Sequence, residues 1–144
     1  MTVPQRLTLV TLGVADVARA TAFYQSLGWR KAIASQPSVT FLVMAGSVLS
    51  LYGREDLAED AQVSHEGEGF RAVTLACNLD SPEQVDAAFA EWIQAGATAV
   101  KTPQLVFWGG YSGYVADLDG HLWELAHNPG LILSAEGLPQ MPVE

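Results

Sequence analysis

Apolar residues in this chain alternate with polar ones in short runs, and twice the period lengthens to that of a helix. Residues 6–14 are rich in Leu, Val and Thr and read as a strand. Asp16 follows as a helix N-cap, and Val17, Ala20, Tyr24 and Leu27 then recur at helical spacing. Gly28 stands where a helix wants a left-handed residue to end it. Strands are predicted at 29–34, 39–45 and 48–52, with Gly46-Ser47 as the turn between the last two. The order is βαβββ.

The order then repeats. Residues 70–79 read as a strand. Ser81-Pro82-Glu83-Gln84 combines a capping box with Pro at the first helical position. Val85, Ala88, Phe89, Trp92 and Ile93 form one apolar stripe, and Gly96 closes the helix as Gly28 closes the first. Strands are predicted at 98–101, 105–108, 113–116 and 122–127. In the last of these, Leu122, Glu124 and Ala126 share one face, and His121, Trp123 and Leu125 share the other. Asp119-Gly120 is a tight-turn pair leading into it.

The pattern predicts an α+β fold. Two βαβββ modules build a curved mixed sheet with a cleft, and the helices bury their single apolar stripes on the outer face. One domain spans residues 1–130, with module one at 6–53, a linker at 54–69 and module two at 70–128. A tail follows at 131–144. The linker is acidic and reads as an exposed connector, with at most a helical turn or a lid role.

Composition narrows the function classes. A length of 144 residues suits one well-filled core. The net charge of −9, with only seven Lys and Arg, argues against nucleic acid or an anionic membrane surface as partner. No apolar run approaches a membrane span or a signal peptide. The single cysteine, Cys77, lies in a strand and reads as a buried structural thiol, which suits a cytoplasmic setting.

Two segments carry a family resemblance. Leu12-Gly13-Val14-Ala15-Asp16, then Phe23-Tyr24 and Leu27-Gly28-Trp29, resembles the opening of the glyoxalase / bleomycin-resistance / extradiol-dioxygenase (vicinal oxygen chelate) superfamily. Residues 107–114, followed by Asp117-Leu118-Asp119-Gly120-His121-Leu122-Trp123-Glu124-Leu125, resemble its closing hairpin. The resemblance implies the same two-module fold and, in the family's enzymes, one divalent metal held by side chains from both modules.

The positions that the resemblance assigns to metal ligands hold Leu9, Ser50, a residue near Thr74, and Glu124. Only Glu124 is a strong donor, and His65, His121 and His127 lie off the pattern. The expectation is therefore no metal and no other cofactor. The cleft is expected to be apolar and aromatic, formed by Leu9, Thr11, Ser50, Tyr52, Thr74, Trp108, Tyr111 and Glu124. The leading function is binding of a small hydrophobic or aromatic molecule, with Glu124 orienting a polar group. One alternative is a metal-dependent glyoxalase- or dioxygenase-type enzyme. Another is a metal-free enzyme with Glu124 as the catalytic base. The family precedent also implies a homodimer.

Overall fold

The structure is a computed structural model that describes Val3 and residues 5–144. The fold is mixed α+β, and its chain falls into two compact units that meet in sequence at Gly67 and Glu68. Each follows from a sheet with one helix-covered face.

In the first unit, β1 (Leu9–Val14), β2 (Val39–Met44) and β3 (Ser47–Gly53) form a sheet of order β1-β3-β2. β1 runs parallel to β3, and β2 runs antiparallel to it. Helix α1 (Val17–Ser26) starts where Asp16 Oδ1 accepts the Arg19 N–H at 3.0 Å. It ends at Gly28, whose φ of +86° only glycine takes without strain. Its inner side buries Ala20, Thr21, Phe23 and Tyr24. The alternate residues of the sheet, Leu12, Val14, Leu42, Leu49 and Leu51, are buried with them.

Two expectations for this unit are corrected. No strand forms at 29–34. Isolated bridges, Lys31 to Leu42 and Gln36 to Val39, stand there instead. The segment turns at residues 32–35, and the Ser35 hydroxyl accepts the Phe41 N–H at 2.9 Å, so a side chain occupies a donor that a ladder would use. The first part of the acidic connector is a helix, α2 (Arg54–Ala61). Glu55 and Asp56 sit in its first turn, where acidic side chains complement the helix dipole, and Ala58 is buried.

In the second unit, β4 (Leu75–Asn78), β5 (Thr98–Leu105), β6 (Tyr111–Ala116) and β7 (Leu122–His127) form a sheet of order β4-β7-β6-β5. Helix α3 (Pro82–Ala95) opens on the Ser81 hydroxyl, which accepts the Gln84 N–H at 3.2 Å, while the Gln84 side chain accepts from Asp80 N–H at 3.0 Å. Trp92 of α3 meets Trp123 of β7 with ring centroids 5.3 Å apart, and Val85, Val115 and Leu125 are fully buried. β7 has the bounds the pattern predicts, and its first strand is shorter than predicted, since only Leu75–Asn78 finds a partner.

The predicted strands at 98–101 and 105–108 are one strand, β5, with register shifts between Ala99 and Lys101 and between Lys101 and Gln104. Phe107 and Trp108 lie instead in the turn that joins β5 to β6. The tail carries a small ladder of β8 (Ile132–Leu133) and β9 (Pro139–Gln140). No helix among the described residues is long and apolar enough to cross a membrane.

The bulged part of β5 presses on β6. A Cβ on Gly113 would stand 2.6 Å from the Lys101 carbonyl oxygen and 2.8 Å from the Pro103 nitrogen. Both obstacles are backbone and cannot swing aside. Gly113→Ala is therefore expected to destabilise the protein by about 1–3 kcal/mol, as overpacking does. Chemical denaturation of the variant beside Gly120→Ala, where a Cβ has free space but φ is +85°, separates crowding from backbone strain.

Candidate functional site

The β6–β7 hairpin sets the geometry. Its turn is closed by Asp117, a buried residue whose Oδ1 accepts the N–H groups of Asp119 and His121, each at 2.9 Å. With Gly120 at φ +85°, this fixes the pairing Ala116–Leu122, Val115–Trp123, Tyr114–Glu124. Paired residues point to the same side of a sheet. Val115 and Trp123 therefore turn to α3, and Tyr114 and Glu124 turn to the open face.

On that face lies a groove of about 330 Å³. Its floor holds Lys101, Ser112, Tyr114 and Glu124, and its wall is the segment from Gln104 to Trp108. The wall is a tight turn in which Gly109 N–H donates to Val106 O and Val106 N–H donates to Gly110 O, each at 3.0 Å. The Trp108 indole folds back over Gly110, where a Cβ would fall 1.7 Å from the ring. Gly110 thus leaves the space that lets the indole lie along the groove.

The Tyr114 hydroxyl donates to the Glu124 carboxylate and accepts from the Thr74 hydroxyl. Burial first, then the Glu124 charge and the hydrogen bond to it, push the Tyr114 hydroxyl above the usual tyrosine value, and Thr74 pulls it partly back. The phenol is held protonated, and one carboxylate oxygen is oriented by it. The remaining carboxylate lone pairs are available to a donor in the groove.

The sequence-predicted residues divide. Thr74, Trp108 and Glu124 come together in the second unit. Tyr111 does not join them: it has the parity of Val115 and gives its hydroxyl to Asp86 Oδ1 on α3 at 2.7 Å. That bond, ahead of slight burial and the charges of Asp86 and Glu83, raises its pKa. In the first unit, Leu9, Thr11, Ser50 and Tyr52 share the sheet face opposite α1, with Thr11 paired to Ser50. Ser50 is buried and Leu9 is exposed. That unit also has a hollow of about 350 Å³ beside α1, where the Thr21 and Thr40 hydroxyls bond each other at 2.8 Å.

Tyr114, Lys101 and Ser112 were missed. Tyr114 is found by counting back from the Asp119-Gly120 turn as far as Glu124 lies beyond it. Lys101 gives no such signal, because its side is decided by a bulge. Cys77, expected to be buried, is half-buried, and burial raises its thiol pKa. His127 Nδ1 lies 3.0 Å from Leu79 O, a structural tie between β7 and the end of β4.

These elements define a protein of the glyoxalase class of folds. The family model of the Glyoxalase/Bleomycin resistance protein/Dioxygenase superfamily matches residues 6–125, and the chain belongs to that superfamily. It is similar to a glyoxalase-related enzyme from Fulvimarina pelagi, with 30% identity and a TM-score of 0.88, covering 97% of this chain and 100% of that one. A glyoxalase/bleomycin resistance protein/dioxygenase family enzyme from Burkholderia phytofirmans PsJN is 25% identical with a TM-score of 0.76, covering 85% and 98%. Lactoylglutathione lyase from Agrobacterium tumefaciens, at 18% identity and TM-score 0.66 over 87% and 95%, shares the fold. No curated protein matches the chain.

The residues present do not fit the metal that the family implies. Among the described residues, no group of three or more His, Cys, Asp or Glu side chains stands ready to hold an ion. Leu9 offers no donor, and the Thr74 hydroxyl is bonded to Tyr114. Protein purified from metal-supplemented medium is expected to carry less than about a tenth of an equivalent of Ni, Zn, Fe or Mn, since a bound divalent ion needs several such donors. Elemental analysis checks this, and near-stoichiometric metal contradicts it.

A second expectation concerns Tyr114. Glu124→Gln removes the charge that raises its pKa, so the tyrosine titration seen by ultraviolet absorbance should move to lower pH. A raised pKa stabilises the fold fully below the unfolded value of about 10, and that stability is lost as pH rises through the folded value. The variant should therefore lose less stability than wild type above pH ~10.

Proposed function

We propose that the chain binds a small aromatic or hydrophobic molecule in the groove of its second unit, without a metal. The supporting observation is the Glu124 carboxylate, oriented by Tyr114 and Thr74, at the base of a groove walled by Trp108. The groove is of a size used by small ligands, and a few polar groups beside aromatic surface are the usual means of fixing such a ligand. In this reading the indole stacks on the ligand and Glu124 accepts a hydrogen bond from its polar group. The bond from Tyr114 sets the carboxylate as an anchor, which favours binding over proton abstraction.

The tryptophans make the test direct. Trp29 stacks on Tyr24 with centroids 5.4 Å apart, and Trp92 and Trp123 pack together, whereas Trp108 is 41% exposed. Titration with benzylamine should change Trp108 fluorescence, and Trp108→Phe should abolish the change. Trp108→Ala should weaken binding by about 2 kcal/mol, in the range of aromatic anchors. Glu124→Gln should weaken benzylamine more than benzyl alcohol, with a melting temperature that rules out simple unfolding. If both alanine and glutamine variants bind as wild type does, the groove is not the site.

A further inference from the structure

The groove floor is a row of side chains drawn from neighbouring strands. Lys101 of β5 stands opposite Tyr114 of β6, which stands opposite Glu124 of β7. The Lys101 and Glu124 backbones are thus separated by Tyr114 and by two strand spacings, about 10 Å.

Lys101 reaches this row through an irregularity. Thr98 pairs with Ala116 and Ala99 with Val115. Continued without a break, that register would set Val100 opposite Tyr114 and turn Lys101 to the α3 side. The register shift between Ala99 and Lys101 puts Lys101 opposite Tyr114 instead. A bulge re-aims a side chain in this way. The backbone at Gly113 is part of the same device, since only a residue without Cβ tolerates the Lys101 carbonyl and Pro103 so close. The chain has two lysines, Lys31 and Lys101, against 16 acidic residues, so a cation in this groove opposes the charge of the chain as a whole.

We propose that the ligand of this groove is an aromatic ampholyte, with an anionic group held by Lys101 and a protonated amine held by Glu124. This rests on the small-molecule reading above and narrows it to a ligand class. The ring lies between its two charges, over Tyr114 and against Trp108. Phenol and indole offer it flat apolar surface, and its ends meet opposite charges drawn from the two strands that flank β6. A ligand with one charge leaves either Lys101 or Glu124 to water.

Four soluble probes separate the contributions: 4-(aminomethyl)benzoate with both charges, benzylamine with the cation, benzoate with the anion, and benzyl alcohol with neither. Calorimetry and Trp108 fluorescence on the full chain read the affinities. The ampholyte should bind about fivefold or more tighter than any of the others, the scale of one exposed ion pair added to another. Lys101→Met should bring 4-(aminomethyl)benzoate down to the affinity of benzylamine and leave benzylamine unchanged, whereas Lys101→Arg should keep the preference. Glu124→Gln should bring the ampholyte to the level of benzoate. If the ampholyte binds no tighter than benzylamine, or Lys101→Met binds all four as wild type does, the ampholyte proposal is overturned and small-molecule binding stands. If none of the four binds or perturbs Trp108, the small-molecule reading itself fails, and the ligand class falls with it.

Discussion

The Asp117 carboxylate is the point on which the second unit turns. It accepts two backbone N–H groups of its own turn on a single oxygen, at a reach that a short Asx side chain has. The turn decides the register of β6 against β7. A slip of one residue would send Trp123 and Leu125 to water and Glu124 into the Trp92 contact. Core and groove are therefore two readings of one choice of register. What packs against α3 and what faces the open side cannot be altered separately.

Much of this was legible because it is local. Helix starts at Asp16 and Ser81, helix ends at Gly28 and Gly96, and the strand Leu122–His127 depend on neighbours in sequence. The alternation of Trp123, Glu124 and Leu125 follows from the period of a strand. The unreadable parts depend on distant partners. Residues 29–34 have strand composition, yet Ser35 takes the bond that pairing would need. Arg54–Ala61 looked like a solvated connector because its helix buries little beyond Ala58. Tyr111 was expected in the cleft, but its place in the β6–β7 register gives it the parity of Val115 and turns it to Asp86 on α3. Tyr114, in contrast, is readable from the turn, since the Asp119-Gly120 pair sets it opposite Glu124.

Membership of the superfamily fixes the fold and leaves chemistry open. In this chain the positions at which the family resemblance implies ligands hold a hydrocarbon, two hydroxyls and a single carboxylate. The carboxylate is engaged by Tyr114, and that hydroxyl by Thr74. Such a chain of polar groups fixes the orientation of the side chains that take part in it.

The bulges of β5 have a consequence for the sheet as a whole. β5 is the last strand in the order β4-β7-β6-β5, and an end strand leaves a row of amides and carbonyls open to any passing chain. The two register shifts break the rhythm of that row. A foreign strand would find no uninterrupted ladder to extend. The irregularity that turns Lys101 toward the groove thus also guards this sheet against open-ended stacking with its own kind.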